Sequence, residues 1–286
     1  MKSTDEAKLP ITVVILTLNE QMTVRRAISS AINDFSEVVV LDSFSSDDTT
    51  QIARECGARV VEHQFVGYAS QRNFALKEMK KLNSWVLFLD ADEMISEDLI
   101  IELREDFNPL EKQVGIYFIR RKDFMYGRWI RRSSAYPTWF GRLCSSDLVS
   151  VTREVNEEFN FAGDARYLSS HLIHYPFVKG FENWFDRHNK YSTGEASLIV
   201  NESPQGLNVR HFVDANPSVR RQAFKRIYLK LPARPLISFL YLYVYRMGFL
   251  DGRAGFDYAL LRTLYEVLIS MKVREMRNEK RVQRVK

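Results

Sequence analysis

The sequence contains little cysteine. Cys56 and Cys144 are the only two among 286 residues, and they are too far apart to give the paired spacing of a zinc site. Two cysteines also exclude the disulfide framework of a small secreted domain. We therefore expect two reduced thiols in a cytoplasmic protein.

Long hydrophobic runs are also missing. The longest uncharged run covers residues 235–245, which is well short of the about 20 apolar residues that a membrane-spanning helix needs. Residues 1–9 are polar and lack an apolar core, so we expect no secretory signal. The composition, 45% hydrophobic and 27% charged, is that of an ordinary globular chain.

Excess charge is confined mainly to one end of the sequence. The net charge is +5, and residues 272–286 account for it with seven basic and two acidic side chains. Nucleic-acid binders carry excess charge on the recognition surface itself, and the rest of this chain is formally neutral, so we predict no nucleic-acid partner. A basic tail suits an anionic lipid surface.

The first hundred residues alternate between strand and helix patterns. Short β-branched apolar runs typical of buried strands occur at residues 12–16, 38–41, 59–62 and 85–89. Helical patterns lie between them at residues 21–31, 45–56 and 69–80. This order predicts an α/β fold with a mostly parallel sheet flanked by helices. Residues 115–119 predict another strand, the following segment to about 153 is loop-rich, and the chain from 181 onward is mostly helical.

Polar residues follow three of the predicted strands. In parallel α/β sheets, ligands bind at the carboxyl ends of the strands. The residues at those positions are TLNE (17–20), DS (42–43) and DAD (90–92). We therefore expect the functional site at this edge of the sheet.

Asp90 and Asp92 form the most informative pair. Because side chains alternate along an extended chain, both carboxylates lie on one side. Two hard oxygen ligands suit Mg²⁺ or Mn²⁺, which can bridge to a diphosphate. The alternative is that these residues only end a strand and cap the next helix.

Two further residues have competing interpretations. Asp42 can accept hydrogen bonds from a uracil or ribose group, or it can form a local turn with Ser43. Arg72 can hold a phosphate, or it can be an ordinary surface arginine.

Taken together, these motifs resemble the family 2 glycosyltransferases and, within them, the lipopolysaccharide core β-1,4-glucosyltransferase group. The resemblance runs from about residue 11 to 274 and is carried by the segments 17–20, 40–49, 71–75, 85–93, 126–130, 136–137, 142–143, 174–175, 191–192 and 248–252. It implies a GT-A fold, a nucleoside-diphosphate sugar donor (UDP-glucose expected) and an inverting displacement. The expected acceptor is a lipid-linked saccharide.

The resemblance also implies roles for individual residues. Thr17, Asn19 and Glu20 are expected to line the base pocket with Asp42. Asp90 is expected to face the ribose or the sugar. The metal ligands are expected to be Asp92 and His174, although His174 can also be a hydrogen-bonded histidine at a strand end.

Inversion requires a base that deprotonates the acceptor hydroxyl. The related group carries a Val-His-Glu motif, and this chain has Asn156 in place of the histidine and Glu157 in place of the glutamate. Glu157 is the predicted catalytic base, and a surface acidic pair with Glu158 is the alternative. Residues 138, 140 and 141 also depart from the pattern of the group, which leaves the acceptor and the transferred sugar open.

The predicted organisation is a catalytic domain at residues 10–210 followed by a helical, basic region at 211–286. The catalytic domain divides into a nucleotide-sugar half at 10–110 and an acceptor half at 111–210. Tyr, Leu and Arg side chains before the basic tail favour a peripheral contact with the cytoplasmic face of the inner membrane. The alternative is a helical hairpin that packs on the catalytic domain and leaves a charged end exposed. A capsule or O-antigen transferase with another sugar, and a non-enzymatic basic binding module, are the alternative functions.

Overall fold

The computed structural model describes residues 7–152, 158–201, 231 and 233–283. The chain forms two compact units. The first contains Met1–Trp129 and Tyr136–Lys179, and the second contains Ile130–Ala135 and Gly180–Lys286. The packing division therefore falls at residue 179, whereas the predicted functional boundary at 210 stays a prediction.

The first unit is an α/β structure. Its described elements, in chain order, are β1 (Leu9–Thr17), α1 (Val24–Ser29), β2 (Phe35–Asp42), α2 (Thr49–Glu55), β3 (Arg59–Glu62), α3 (Tyr68–Met79), β4 (Trp85–Asp90), β5 (Glu93–Ile95), α4 (Glu97–Asp106), β6 (Val114–Met125), β7 (Arg128–Trp129), β8 (Trp139–Ser145), β9 (Val149–Thr152), β10 (Glu158–Phe161) and β11 (Asp164–His174).

Most of these strands form one sheet in the order β3-β2-β1-β4-β8-β6-β11-β5, with β7 paired to β6. The pairs β3–β2, β2–β1, β1–β4 and β6–β11 are parallel. The register sets Thr17 opposite Asp42 and Leu16 opposite Asp90. The predicted mostly parallel α/β sheet is confirmed, and its first four strands end at one edge.

Helices cover the sheet on both faces because the strands are apolar on both faces. On β1, Val13 and Ile15 pack into a cluster that includes Leu99 from α4. Val14 points to the other face and packs into a second cluster, which includes Leu76 from α3. A strand buried on both faces reads as a continuous apolar run rather than an alternating one.

Local signals set several helix ends. Ser96 caps α4 by accepting a hydrogen bond from the N–H of Leu99 at 3.2 Å, and two acidic residues occupy the first turn. Gly57 follows the C-cap residue of α2, Cys56, and has φ 83°, as expected for the glycine that ends a helix.

The segment predicted to be loop-rich contains strands. β8 lies between β4 and β6 and is antiparallel to both. Residues 141–145 are all buried, so this strand has no alternating pattern to reveal it.

The described part of the second unit is mostly helical, which confirms the predicted C-terminal helical segment. Its described elements are α5 (Gly180–Asn201), α6 (Arg234–Phe239), a π-helical segment (Leu240–Tyr245), a 3₁₀ turn (Gly248–Asp251) and α7 (Gly252–Gln283). Across the described residues, no helix combines the length and hydropathy required to cross a membrane.

A buried carboxylate organises the middle of this unit. One oxygen of Asp251 accepts hydrogen bonds from the N–H groups of Arg132 and Ser133, both at 2.8 Å, and from the Ser133 hydroxyl at 3.0 Å. A Cβ at Gly255 would lie 2.1 Å from the carbonyl oxygen of Gly248. The glycine is therefore required for this close approach of two backbones.

Candidate functional site

The loops after β1 and β2 are joined by the carboxylate of Asp42. Its oxygens accept hydrogen bonds from the Thr17 hydroxyl at 2.6 Å, the Ser45 hydroxyl at 2.6 Å and the Ser45 N–H at 2.7 Å. The side chain is fully buried. Asp42 therefore organises this loop, and its turn partner is Ser45 rather than Ser43. The contact with the nucleotide base predicted for Asp42 stays a prediction.

Asn19 ties the same two loops together from the other side. Its N–H donates to Ser45 Oγ, and its Oδ1 accepts from the N–H of Ser46, both at 2.8 Å. Asn19 has φ 56°, a left-handed conformation that asparagine tolerates because its side chain bonds locally. The neighbouring Glu20 N–H donates to Thr49 Oγ1 at 2.7 Å. The predicted base-pocket residues are therefore preorganised.

Lys179 joins this cluster from the end of the first unit. Its Nζ donates to Glu20 Oε1 at 2.5 Å and to the Asn19 carbonyl oxygen at 2.6 Å. Burial raises the pKa of Glu20, although Lys179 and Thr23 oppose the shift. Sequence reasoning missed Lys179, because it lies 159 residues from Glu20 in a segment with no motif.

Two arginines hold Asp90. Arg142 contacts both carboxylate oxygens, at 3.2 and 2.7 Å, and Arg72 contacts Oδ1 at 3.3 Å. Burial favours the neutral acid, but the charges of Arg142 and Arg72 outweigh it and hold the pKa of Asp90 well below its usual range. The Arg72 guanidinium also lies 4.8 Å from the centre of the Phe88 ring. Arg72 is buried, so it is not an ordinary surface arginine.

The same network continues through a fully buried glutamate. Arg142 Nη2 contacts Glu93 Oε1 at 2.7 Å, and Glu93 Oε2 accepts the Asp90 N–H at 3.0 Å. Burial raises the pKa of Glu93 despite the nearby arginines. Sequence reasoning gave no role to Glu93 or Arg142. Their only signal was that both fall inside motifs of the family resemblance.

His174 and Asp92, the two predicted metal ligands, lie close together. The distance from His174 Nε2 to Asp92 Oδ2 is 3.4 Å. His174 Nδ1 lies 2.6 Å from Asp123 Oδ1, and Arg121 Nε donates to that same oxygen at 3.0 Å. Burial and Arg121 lower the pKa of His174, but Asp92 and Asp123 outweigh them and raise it to about 9.

This arrangement fits a divalent metal. A metal-bound histidine commonly gives its other ring N–H to a carboxylate, which fixes the ring and its tautomer, and Asp123 is placed to accept it. Asp92 and His174 supply two ligands, and Mg²⁺ is often held by one or two carboxylates together with substrate phosphates. Among the described residues, no group of three or more His, Cys, Asp or Glu side chains forms a metal cluster.

The predicted base, Glu157, lies outside the described residues, as does Asn156. The strands on either side are described: β9 and β10 pair in antiparallel fashion, with Thr152 opposite Glu158. Asn73 of α3 bonds both backbone groups of Val151, each at 2.8 Å. Helix α3 therefore supports the strand that precedes residues 153–157.

Comparison with known proteins identifies the class. The chain matches the family described as glycosyl transferase family 2 over residues 12–188 and belongs to that family. It is therefore a glycosyltransferase. The match covers every described site residue discussed above. The finer resemblance to the lipopolysaccharide core group is not established by these comparisons.

Its relatives include an uncharacterized glycosyltransferase of Rickettsia conorii, 32% identical over 212 residues, which cover 70% of this chain and 74% of the relative. A shorter match, 31% identical over 90 residues, is to the SPbeta prophage-derived glycosyltransferase SunS of Bacillus subtilis; it covers 31% of this chain and 21% of the relative. Among solved structures is glucosyl-3-phosphoglycerate synthase of Mycobacterium tuberculosis in complex with Mn²⁺, UDP and glucosyl-3-phosphoglycerate. That match has 22% identity and a TM-score of 0.36, and covers 48% of this chain and 57% of the other.

Proposed function

We propose that this enzyme transfers a hexose from a UDP-sugar, with UDP-glucose as the expected donor, to a hydroxyl of a lipid-linked saccharide. The transfer inverts the anomeric centre and depends on a divalent metal. The observation that carries the proposal is the placement of His174 between Asp92 and Asp123. A histidine held in this way at the end of a parallel sheet suits a metal that binds a diphosphate.

Asp92 and His174 would hold Mg²⁺ or Mn²⁺, with Asp123 fixing the imidazole. When bound, the metal offsets negative charge on the departing diphosphate. Because an imidazolium cannot be a ligand, His174 would give up its Nε2 proton when the metal binds.

The remaining residues would bind and orient the donor. The loop that contains Asn19 and Glu20 would meet the base, supported from below by Thr17 and Asp42. Asp90 stays ionised between its two arginines, and we assign it to a hydroxyl of the ribose or sugar. Arg72 then acts mainly by holding Asp90 in place, which differs from the direct phosphate contact expected from the sequence.

Binding of the donor nucleotide tests this function directly. UDP with Mn²⁺ should raise the melting temperature, because a ligand at 100 times its Kd adds about 2.7 kcal/mol to folded-state stability. Neither UDP with chelator nor Mn²⁺ alone should give the same shift, since each supplies only part of the site. Differential scanning fluorimetry with UDP, ADP and GDP measures the effect. Equal shifts for all three nucleotides, or none, would contradict the proposal.

A membrane contact for the second unit is supported by its exposed apolar side chains. On α6 and the π-helical segment, Leu236, Leu240, Val244 and Tyr245 are all exposed, Tyr245 by 77%. Leu236, Leu240 and Val244 are each four residues apart, which places these three along one side of the helix. We assign this side to an anionic lipid surface, where the acceptor would also reside.

Most of the basic residues near the end of the chain belong to helix α7, which continues to Gln283. Lys272 donates to the carbonyl oxygen and Oδ1 of Asn189, and Lys280 donates to Asn201 Oδ1. These two lysines therefore hold α7 against α5. The arginines at 274, 277 and 281 are exposed, and we assign them to the binding of lipid phosphates.

Replacing Arg274, Arg277 and Arg281 together with Gln should weaken binding to vesicles that contain phosphatidylglycerol by tenfold or more. Each basic residue near an anionic surface contributes about 1 kcal/mol, and salt screens this attraction. Replacing Leu236, Leu240 and Val244 with Ser should weaken binding at every salt concentration. Co-sedimentation across a salt series measures both effects.

The control variant is Leu110→Ser, which removes an exposed leucine from the first unit. It should bind vesicles like the wild type, and all variants should transfer sugar to soluble acceptor analogues. Equal partitioning of the variants and the wild type would rule out this surface. Truncation after residue 271 is a poorer test, because it also removes Val273 from the core between α5 and α7.

A further inference from the structure

Phe44 has an unusual backbone conformation. It follows β2 at the carboxyl edge of the sheet, and its φ is 61°. The left-handed region is easily reached by glycine and tolerated by asparagine, but a bulky side chain there is strained. Asn19, which follows the neighbouring strand β1, is also left-handed, but its side chain bonds locally. Phe44 therefore adopts a conformation that its own chemistry does not favour.

The residues on either side impose this conformation. The Ser43 N–H donates to the Thr17 carbonyl oxygen at 2.9 Å, and the Ser43 hydroxyl accepts from Gln71 Nε2 at 2.8 Å. On the other side, Ser45 is bound to the buried carboxylate of Asp42 through both its N–H and its hydroxyl. With both neighbours fixed, Phe44 cannot rotate into a relaxed conformation without breaking the loop.

The phenyl ring of Phe44 contributes little to the stability of the fold. Phe44 is 60% exposed, and within the described part of the chain no ring or cation stacks on it. An exposed ring on a strained backbone adds nothing to the core. Strain of this kind concentrates where a ligand is held, so the ring has to be explained by what binds above it.

The position of Phe44 indicates the ligand. Ser45 accepts the Asn19 N–H, so Phe44 borders the loop assigned above to the donor base. We propose that the Phe44 ring is the stacking platform for the nucleobase of the donor, an inference that rests on the proposed function. Every nucleobase has a flat π-face, and stacking on an aromatic side chain strengthens binding by about tenfold or more. Phe44 would supply this affinity, while hydrogen bonds from the loop would select the base.

A pair of nucleotides separates stacking from hydrogen bonding. UDP and 5,6-dihydro-UDP present the same carbonyl and N–H groups, but the saturated base is not planar and stacks poorly. With Mn²⁺ present, calorimetric titration of the wild type should show UDP binding about tenfold more tightly than dihydro-UDP. Phe44→Tyr keeps a ring and should preserve this ratio. Phe44→Gly removes the ring and should bind both nucleotides equally, at the weaker level.

The melting temperature of Phe44→Gly shows whether weaker UDP binding comes from the lost ring or from a destabilised fold. Glycine accepts φ 61° without strain, so Phe44→Gly should melt at or above the wild-type temperature while binding UDP less tightly. A lower melting temperature with weaker binding would make Phe44 a structural residue and overturn the inference. Unchanged discrimination in Phe44→Gly would also overturn it, with the donor proposal intact. If the wild type fails to bind UDP, the proposed function itself is wrong.

Discussion

Asp92→Ala should abolish sugar transfer and leave the fold intact. The carboxylate lies 3.4 Å from His174 Nε2, and it is one of only two ligands that we assign to the metal. The backbone carbonyl of Asp92 accepts a hydrogen bond from the Tyr175 N–H at 3.0 Å, and the substitution leaves this hydrogen bond in place. Initial rates with Mg²⁺ or Mn²⁺, compared with the melting temperature of the same sample, measure the two effects.

Asp34→Ala provides a matched control for Asp92→Ala. Asp34 is paired with Arg104 at 3.1 Å, near the amino end of β2 and away from the site. It should retain normal turnover. A chelator such as EDTA should silence the wild type in the same way that Asp92→Ala does. Near-normal activity of Asp92→Ala, or full activity in EDTA, would show that the metal assignment is wrong.

Glu157→Gln should lower the turnover number by about 10²–10⁴-fold, which is the usual contribution of a positioned general base. The amide keeps the size of the side chain but cannot take the proton of the acceptor hydroxyl. Donor affinity should hardly change, because the strands that flank residues 153–157 are not part of the donor loops. Single-turnover kinetics and UDP titration of the same variant separate the two quantities.

Glu158→Gln is the control for this second substitution. Glu158 is exposed at the start of β10 and should be replaceable without loss of rate. A normal turnover number in Glu157→Gln, combined with a loss in Glu158→Gln, would move the role of base by one residue. Normal rates in both variants would place it on another carboxylate.

The sequence was most informative where a strand is buried on both faces and followed by a polar loop. The apolar runs at residues 12–16 and 85–89 predicted β1 and β4, and the parallel register then brought Thr17, Asp42 and Asp90 to one edge. Local sequence patterns suffice to predict these elements, because an apolar run and a helical periodicity can both be recognised within a short stretch of sequence.

Long-range partners could not be predicted in the same way. Arg142 reaches Asp90 from 52 residues away, and Lys179 reaches Glu20 from 159 residues away. No periodicity links such pairs, because their contact depends on how β8 and the end of β11 are placed in the sheet. The pairing of His174 with Asp123 depends likewise on the register between β11 and β6.

One turn of α3 supports three separate parts of the first unit. Gln71 bonds Ser43 in the loop after β2, Arg72 bonds Asp90 at the end of β4, and Asn73 bonds the backbone of Val151 in β9. Consecutive residues of a helix point about 100° apart, so a single rigid turn can reach in three directions. A substitution that tilts this one turn would therefore disturb the β2 loop, Asp90 and the strand that leads to the predicted base at the same time.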